Sequence, residues 1–400
     1  MRGVACASLV LAGTETLWLT RVVRIYTRYQ LPRRAANWHT AIYWLLSLAG
    51  VAFLGWIFFH SGRKAPSPLA ARPSPPAVRA ATPATNPAAA LIGTVRPPSP
   101  PIPATGQGPP PTVFEPRPVQ NWLEAQVALA RLGLSCGSLD GVGGYQTRTA
   151  LRVFQRQAGV PVTGTLDAAT QARLRLDAPL LVFYTVTTND VARLLPLSPN
   201  WLGKSLQTRL DYETVLELVA EKAWSHPALI RQLNPQVNWE AALPGLVVRL
   251  PDVAPPPHRA RLACIRISLA GRTLDTFDDA TNVLMHAPCS IARNVAKRPV
   301  GELHVVAVVP NPTYTFDPAI FPESPEARQL GRRLLLPAGP NNPVGTAWIG
   351  LDRPGYGIHG TPRPEDVGRT ESHGCFRLTN WNAEYLAQMV SGGTPVFVEP

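Results

Sequence analysis

His359–Asn380 reads HGTPRPEDVGRTESHGCFRLTN and sets a cysteine, two histidines and an arginine within one turn-rich segment. A cysteine is a nucleophile only as its thiolate, and a nearby imidazole both takes its proton and stabilises the resulting ion pair. Cys375 and His359 are sixteen residues apart, joined by Gly, Pro and Asp residues that read as a loop between two neighbouring elements. Ser372, His373 and Gly374 stand directly before the cysteine and offer backbone N–H groups suited to a tetrahedral oxyanion. Arg377, two residues further on, is suited to hold a substrate carboxylate. Thr379 or Asn380 is placed to cap a following helix.

Outward from that segment the pattern is strand-like. Ala263, Ile265, Ile267 and Leu269 alternate with Cys264, Arg266 and Ser268. Gly271-Arg272 turns the chain into a strand from Thr273 to Phe277, and Asp278-Asp279-Ala280 turns it again into Val283–Ser290. Gly301–Val309 and Pro395–Val398 read as further strands, with helices near Pro325–Leu330 and after Thr379. Residues 258–400 are therefore expected to form a mainly β domain, an antiparallel β sandwich with few helices.

Within this domain the ordered set Pro299-Val300-Gly301, Asn311-Pro312, Asn342-Pro343-Val344-Gly345, Tyr356-Gly357-Ile358, His359 and Ser372-His373-Gly374-Cys375 resembles the L,D-transpeptidase catalytic domain of the YkuD/ErfK family, over roughly residues 262–399. The resemblance implies that Cys375 attacks the carbonyl of the L-centre of a diamino acid in a peptidoglycan tetrapeptide stem and expels D-alanine. A side-chain amine of a second stem then takes the acyl group. It further implies that His359 is general base and acid, or ion-pair partner of the thiolate, oriented by the Gly360 carbonyl. His373 and Gly374, with Cys375 itself, would line the oxyanion region, and Arg377, Ser372 and Tyr356 would contact substrate.

From the residues themselves the chemistry is cysteine acyl transfer of ping-pong character. Water in place of the amine would make the protein an L,D-carboxypeptidase or crosslink hydrolase, and an inert site would make it a wall-binding scaffold, a reading the intact Cys375 and His359 oppose. The Thr-x-Cys context of a sortase is missing. His359, His373 and Cys375 are all zinc-ligand types, but no C-x-x-C or H-E-x-x-H accompanies them and a fourth ligand is lacking. Neither metal nor cofactor is expected. His286 and His304, in strands, read as ordinary partly buried residues, and Asp352, Glu365 and Asp366 as loop surface.

Two modules precede this domain. In residues 119–177, Leu123, Val127 and Ala130 share one helical face and Thr147, Ala150, Leu151 and Phe154 another, while Asp167 is placed to cap a third helix ending near Leu174. The run LDGVGGYQTRTALRVFQRQAGVPVTGTLDAATQARL resembles the three-helix peptidoglycan-binding domain, with Phe154 read as core. Residues 182–251 read as strand (Phe183–Val186), helix (Val215, Leu218, Val219), helix (Pro227–Leu233) and strand (Leu246–Leu250). That order resembles a small α+β LysM module carrying an insertion at Val191–Tyr212, the alternative being a spacer. Pro255-Pro256-Pro257 reads as a hinge into the last domain.

Four hundred residues with 44 unevenly spread prolines indicate several domains and an unfolded stretch. That stretch is 60–118, Pro-, Ala-, Ser- and Thr-rich from Ala65 on, too poor in large apolar side chains to offset ordering entropy. Before it, the uncharged run Ala41–Phe59 is long enough for the ~30 Å hydrocarbon core of a membrane. Arg21, Arg24, Arg28, Arg33 and Arg34 in the segment 1–40 place the N-terminus in the cytoplasm and the chain beyond His60 in the periplasm or cell wall. The net charge of +12 is dispersed and no nucleic-acid motif accompanies it, so nucleic acid is not an expected partner. The expected partners are peptidoglycan, the membrane through that one helix, and an envelope protein as a further acceptor. Of five cysteines, Cys136, Cys264 and Cys289 read as small buried residues, while Cys375 must be free.

Overall fold

The structure, a computed structural model, describes residues 114–257, 261–321, 323–372 and 374–400. The expected N-terminal segment, the membrane span, the linker as far as residue 113, and His373 lie outside these residues. Among the described residues no helix is long and apolar enough to cross a membrane.

The first module comprises β1 (Arg117–Pro118), α1 (Trp122–Arg131), α2 (Tyr145–Ala158), α3 (Ala168–Arg173) and β2 (Arg175–Leu176). Asn121 and Asp167 accept the backbone N–H of Glu124 and Thr170, which terminates α1 and α3 at their N-ends. Val127, Ala150, Leu151 and Phe154 pack into one core with Leu174 and Leu176. Pro118 pairs with Arg175. The module thus begins before residue 119 and takes the last residues of the expected linker, because proline is tolerated in an edge strand.

The second module comprises β3 (Leu181–Thr185), α4 (Thr188–Arg193), α5 (Trp201–Leu206), α6 (Val215–Lys222), α7 (Pro227–Leu233) and β4 (Val247–Pro251). Strands β3 and β4 pair antiparallel from Leu181↔Pro251 to Thr185↔Val247. Asn234 stitches α7 to β4: its carboxamide donates to the carbonyls of Ile230 and Arg249 and accepts from Arg249 N. Helices α4 and α5 fill the expected insertion.

The last domain contains β5 (Leu262–Ser268), β6 (Thr273–Asp278), β7 (Val283–Pro288), β8 (Gly301–Pro310), β9 (Tyr314–Phe316), α8 (Pro325–Leu330), β10 (Leu334–Leu336), β11 (Ala347–Leu351), β12 (Gly357–His359), β13 (Phe376–Arg377), α9 (Asn380–Met389) and β14 (Pro395–Glu399). Its sheet corrects the expected sandwich. Eight strands form one ladder in the order β13-β12-β11-β8-β14-β5-β6-β7, with β9 and β10 as a separate hairpin. The ladder curls until its edges meet, since Ser290, just past β7, pairs with Arg377 of β13, and Ala292 pairs with Ser372. Pairs β12–β13 and β14–β5 are parallel. The enclosed core joins Ile265, Leu274 and Met285 from one half to Ile349, Ile358 and Phe376 from the other. A sandwich and a curled sheet leave the same alternation in sequence, because each strand buries one face in both. In β5 that alternation also breaks. A register shift between Leu262 and Cys264 buries Cys264 beside Ile265.

The modules pack directly on this domain. Leu134 bridges to His286 on the β7 edge, and Asn382 donates to Ser135 Oγ at 2.9 Å, so the three-helix module covers an edge that would otherwise present unpaired N–H and C=O groups. Pro256 accepts from the Tyr385 hydroxyl, which holds the expected hinge against α9. His286 is more buried than expected and bonded through Nδ1 to Asp275 at 2.6 Å. Cys136 and Cys289 are free and buried, with burial pushing the Cys136 thiol up to about 12, whereas Cys264 is disulfide-bonded.

Candidate active site

Registers across three strands build the site. Ile349, Ile358 and Phe376 are Cα partners on β11, β12 and β13 and point into the core. The next residues along, Trp348, His359 and Arg377, are likewise partners and occupy the opposite face. Cys375 stands two residues before Arg377, immediately ahead of β13. The loop after His359 brings β13 back alongside β12 in parallel, which is why sixteen residues separate His359 from Cys375.

His359 is almost fully buried, and its ring stacks on Trp348 with centroids 5.6 Å apart. Trp348 can lie there only because Gly357 has no side chain; a Cβ at Gly357 would stand 2.5 Å from the indole. His359 Nδ1 lies 2.6 Å from the Gly360 carbonyl. A carbonyl only accepts, so Nδ1 carries the hydrogen and Nε2 keeps its lone pair. Burial, reinforced by the Arg377 charge, lowers the imidazole to about 4 against the supporting pull of that carbonyl. Cys375 is half-exposed, and its thiol donates to Gly355 O at 3.5 Å. Burial pushes the thiol above its usual range, opposed by a Gly357 backbone hydrogen bond and by Arg377. Both shifts favour the neutral forms of the two side chains.

Arg377 is the uncompensated charge of the site. Its guanidinium donates to Glu371 O at 3.4 Å and, among the described residues, forms no ion pair with a carboxylate. Burial lowers its pKa. A buried guanidinium without a carboxylate is a demand for an anionic ligand. Ser372, read from sequence as a substrate contact, is instead engaged within the turn: its hydroxyl donates to Cys375 O at 2.5 Å and accepts Gly374 N at 3.2 Å. Gly374 N–H is thus turned towards Ser372. Tyr356 is half-buried, with the Arg353 guanidinium 4.7 Å over its ring.

Three residues escaped the sequence reading. Burial raises the phenol of Tyr314 on β9, with the charge of Cys375 adding to the effect and that of Arg377 opposing it, so the β9–β10 hairpin lies within electrostatic range of the site. Asn380 was legible only as a possible cap; Thr379 takes that role, accepting Asn382 N. Its neighbour's carboxamide is then free to accept Thr361 N at 3.0 Å and to donate to Glu221 of α6 at 2.9 Å. Glycines make room for it, since a Cβ at Gly345 or Gly360 would collide with Asn380 Oδ1. A module outside the sheet thereby grips the residue that follows the His359 orienter.

Asn380→Ala removes the partners of a buried N–H and a buried carboxyl, at about 1–3 kcal/mol for each unsatisfied group. The expected result is a melting midpoint lower by several degrees together with about tenfold slower turnover, read by calorimetry and steady-state rates. Glu221 supplies a test of opposite sign. Burial raises its carboxyl to about 8, with Glu384 and Glu217 adding to the effect and the Asn380 and Tyr212 hydrogen bonds opposing it. A raised folded-state value means that stability is full below the unfolded value near 4.5 and falls as pH rises through about 8. Glu221→Gln, which keeps the acceptor, is expected to match the parent at pH 5 and to exceed it by about 1–3 kcal/mol at pH 9. Equal pH slopes in denaturant titrations would contradict the burial argument.

Comparison with known proteins agrees with this geometry. Residues 263–398 match the family described as "L,D-transpeptidase catalytic domain" (YkuD), and residues 119–174 match the "Putative peptidoglycan binding domain". The chain is 28% identical over 191 residues to the "Putative L,D-transpeptidase YkuD" of Bacillus licheniformis, spanning 47% of this chain and 94% of the relative. It is 29% identical over 168 residues to the "Probable L,D-transpeptidase YbiS" of Escherichia coli, spanning 41% of this chain and 53% of that protein. A solved L,D-transpeptidase from Mycobacterium smegmatis aligns with 40% of this chain and 65% of its own at 21% identity, with a TM-score of 0.28. The chain carries a YkuD-type L,D-transpeptidase catalytic domain, preceded by a peptidoglycan-binding domain. Residues 182–251 fall outside both matched ranges.

Proposed function

We propose that the protein is a peptidoglycan L,D-transpeptidase that works through a thioester on Cys375. The observation that carries this reading is the pairing of His359 with Arg377 across β12 and β13, with Cys375 immediately ahead of β13, within a matched transpeptidase domain. Arg377 holds a carboxylate of a tetrapeptide stem. His359 Nε2 takes the thiol proton as sulfur attacks the carbonyl of the L-centre, the tetrahedral intermediate collapses, and the same proton goes to the departing D-alanine amine. An amine of a second stem then attacks the thioester and passes its proton to His359, regenerating the thiol. The domain at 119–174 supports residence on the wall, the LysM-like order of 182–251 supports a second wall contact, and the apolar run 41–59 supports anchorage in the cytoplasmic membrane with the catalyst outside.

The test is intact-mass analysis of residues 114–400 after incubation with a tetrapeptide-stem disaccharide. D-Alanine release, a covalent adduct and a crosslinked dimer are expected of the parent, and none of them of Cys375→Ala. Adduct and free tripeptide without dimer would replace transfer by hydrolysis. No adduct, with wall binding retained, would leave a scaffold.

A further inference from the structure

The insertion in the middle module is built into the catalytic cleft. Trp201 of α5 stacks on Phe316 of β9 with centroids 4.5 Å apart and lies 6.0 Å from Phe321, and Leu210 joins Phe316, Leu334 and Leu336 in one buried cluster. The backbone locks the same contact: Leu210 N donates to Ala338 O at 2.9 Å, and Leu210 O accepts Asn341 N at 2.9 Å. Gly339 adopts φ +143°, and a Cβ there would collide with the Leu210 carbonyl. Glu326 of α8 receives Leu202 N at 3.1 Å. This hairpin is the one whose Tyr314 senses the charges of Cys375 and Arg377.

Beside that contact a cavity of about 390 Å³ is lined on one side by Trp201 and Lys204 and on the other by Thr361, Arg363 and Arg377. A second cavity of about 530 Å³ shares Lys204, Asn341, Pro362 and Arg363 with the first and continues along α6 to Glu217 and Ser225. The two form one groove from the active-site arginine into the middle module. Its charges are unevenly matched. Glu371 is held by Arg272 at 3.1 Å, and Asp366 faces Arg363 at 3.9 Å. Lys204, like Arg377, has no carboxylate partner among the described residues, and its ammonium rests 5.7 Å over the Trp201 ring. Glu213, Glu217, Glu221 and Glu365 line the second cavity, so the surplus of cations is confined to the first, where Lys204 and Arg377, both without a carboxylate partner, fit a ligand with two carboxylates.

We propose that Lys204 is a substrate-binding residue, and that the insertion of the middle module completes the cleft by holding the second carboxylate of the peptide whose first carboxylate sits on Arg377. This rests on the peptide-stem reading of the site. The lysine touches bound peptide away from the reacting carbonyl, so it governs binding and not the chemical step.

The experiment keeps the two readings apart. Binding of a stem peptide with two free carboxylates is measured by calorimetry on residues 114–400 carrying Cys375→Ala, with and without Lys204→Gln, Lys204→Arg or Lys204→Glu, and is repeated with a singly amidated peptide. Turnover is measured in the Cys375 protein with the same Lys204 variants. Lys204→Gln is expected to weaken binding and raise KM about tenfold with kcat within twofold of the parent. Lys204→Glu should weaken binding further, and Lys204→Arg should restore it. The amidated peptide should bind the parent about tenfold less tightly and be indifferent to Lys204→Gln. Unchanged melting midpoints check the fold. Binding that ignores Lys204, or that weakens equally for both peptides, overturns the proposal. Absence of turnover with Lys204-dependent binding intact would overturn only the transfer reaction.

Discussion

Cys375→Ser is expected to lower acyl transfer by at least about 10³-fold, with no covalent adduct detectable by intact mass and a melting midpoint within a degree or two of the parent. The two side chains differ by one atom, and Cys375 is partly exposed with only a long hydrogen bond from its thiol to Gly355 and one from the Gly357 backbone, both of which a hydroxyl can make, so little packing is lost. The reaction loses a great deal. His359, with its imidazole lowered to about 4, is a weak base, and a serine hydroxyl is far harder to deprotonate than a thiol, even one that burial raises. Serine activity within tenfold of the parent would mean that the base is stronger than its burial allows.

His359→Gln is expected to reduce kcat by roughly 10²–10⁴-fold while leaving KM within a factor of three, because it deletes proton transfer and keeps the Arg377 subsite. The pH profile follows from the same burial. The imidazole acts as a base only when neutral, so parent kcat/KM should hold through pH 5–8 and fall as the pH drops through about 4. Stability carries the same sign. A histidine depressed from 6.5 to about 4 contributes stability that is full above 6.5 and is lost as pH falls through 4, because the unfolded chain binds the proton first. The glutamine variant should lose both the acid limb of its residual rate and that part of the acid sensitivity. An acid limb centred near 6.5 would show that the histidine titrates in water, contrary to its burial behind Trp348.

Much of this was legible in the chain. The strands at 262–268, 273–278, 283–288 and 395–399, and the helix Pro325–Leu330, follow from alternation and turn chemistry, local properties written residue by residue. Asp167 caps its helix because a carboxylate before a helical run has an orphan N–H to accept. The nucleophile and base stood out because thiol, imidazole and small-residue turn occur together in one segment, and acyl-transfer chemistry needs just those groups.

What escaped was whatever depends on partners distant in sequence. The curl that closes β13 on Ser290 leaves no trace in alternation. Ser372 looked like a substrate contact until its hydroxyl met Cys375 O, and Asn380 looked like a cap until Thr379 took that position. The weak basicity of His359 is a property of the stacked Trp348 and the unpaired Arg377, not of a histidine. The sequence by itself determined which residues carry reactive groups in one segment and which segments of the last domain are strands or helices, since both are set by side-chain type and local spacing. Only the tertiary structure decided that Glu221 and Lys204 of the middle module belong with Asn380 and Arg377, because burial, register and charge balance are created when segments more than a hundred residues apart share one interior.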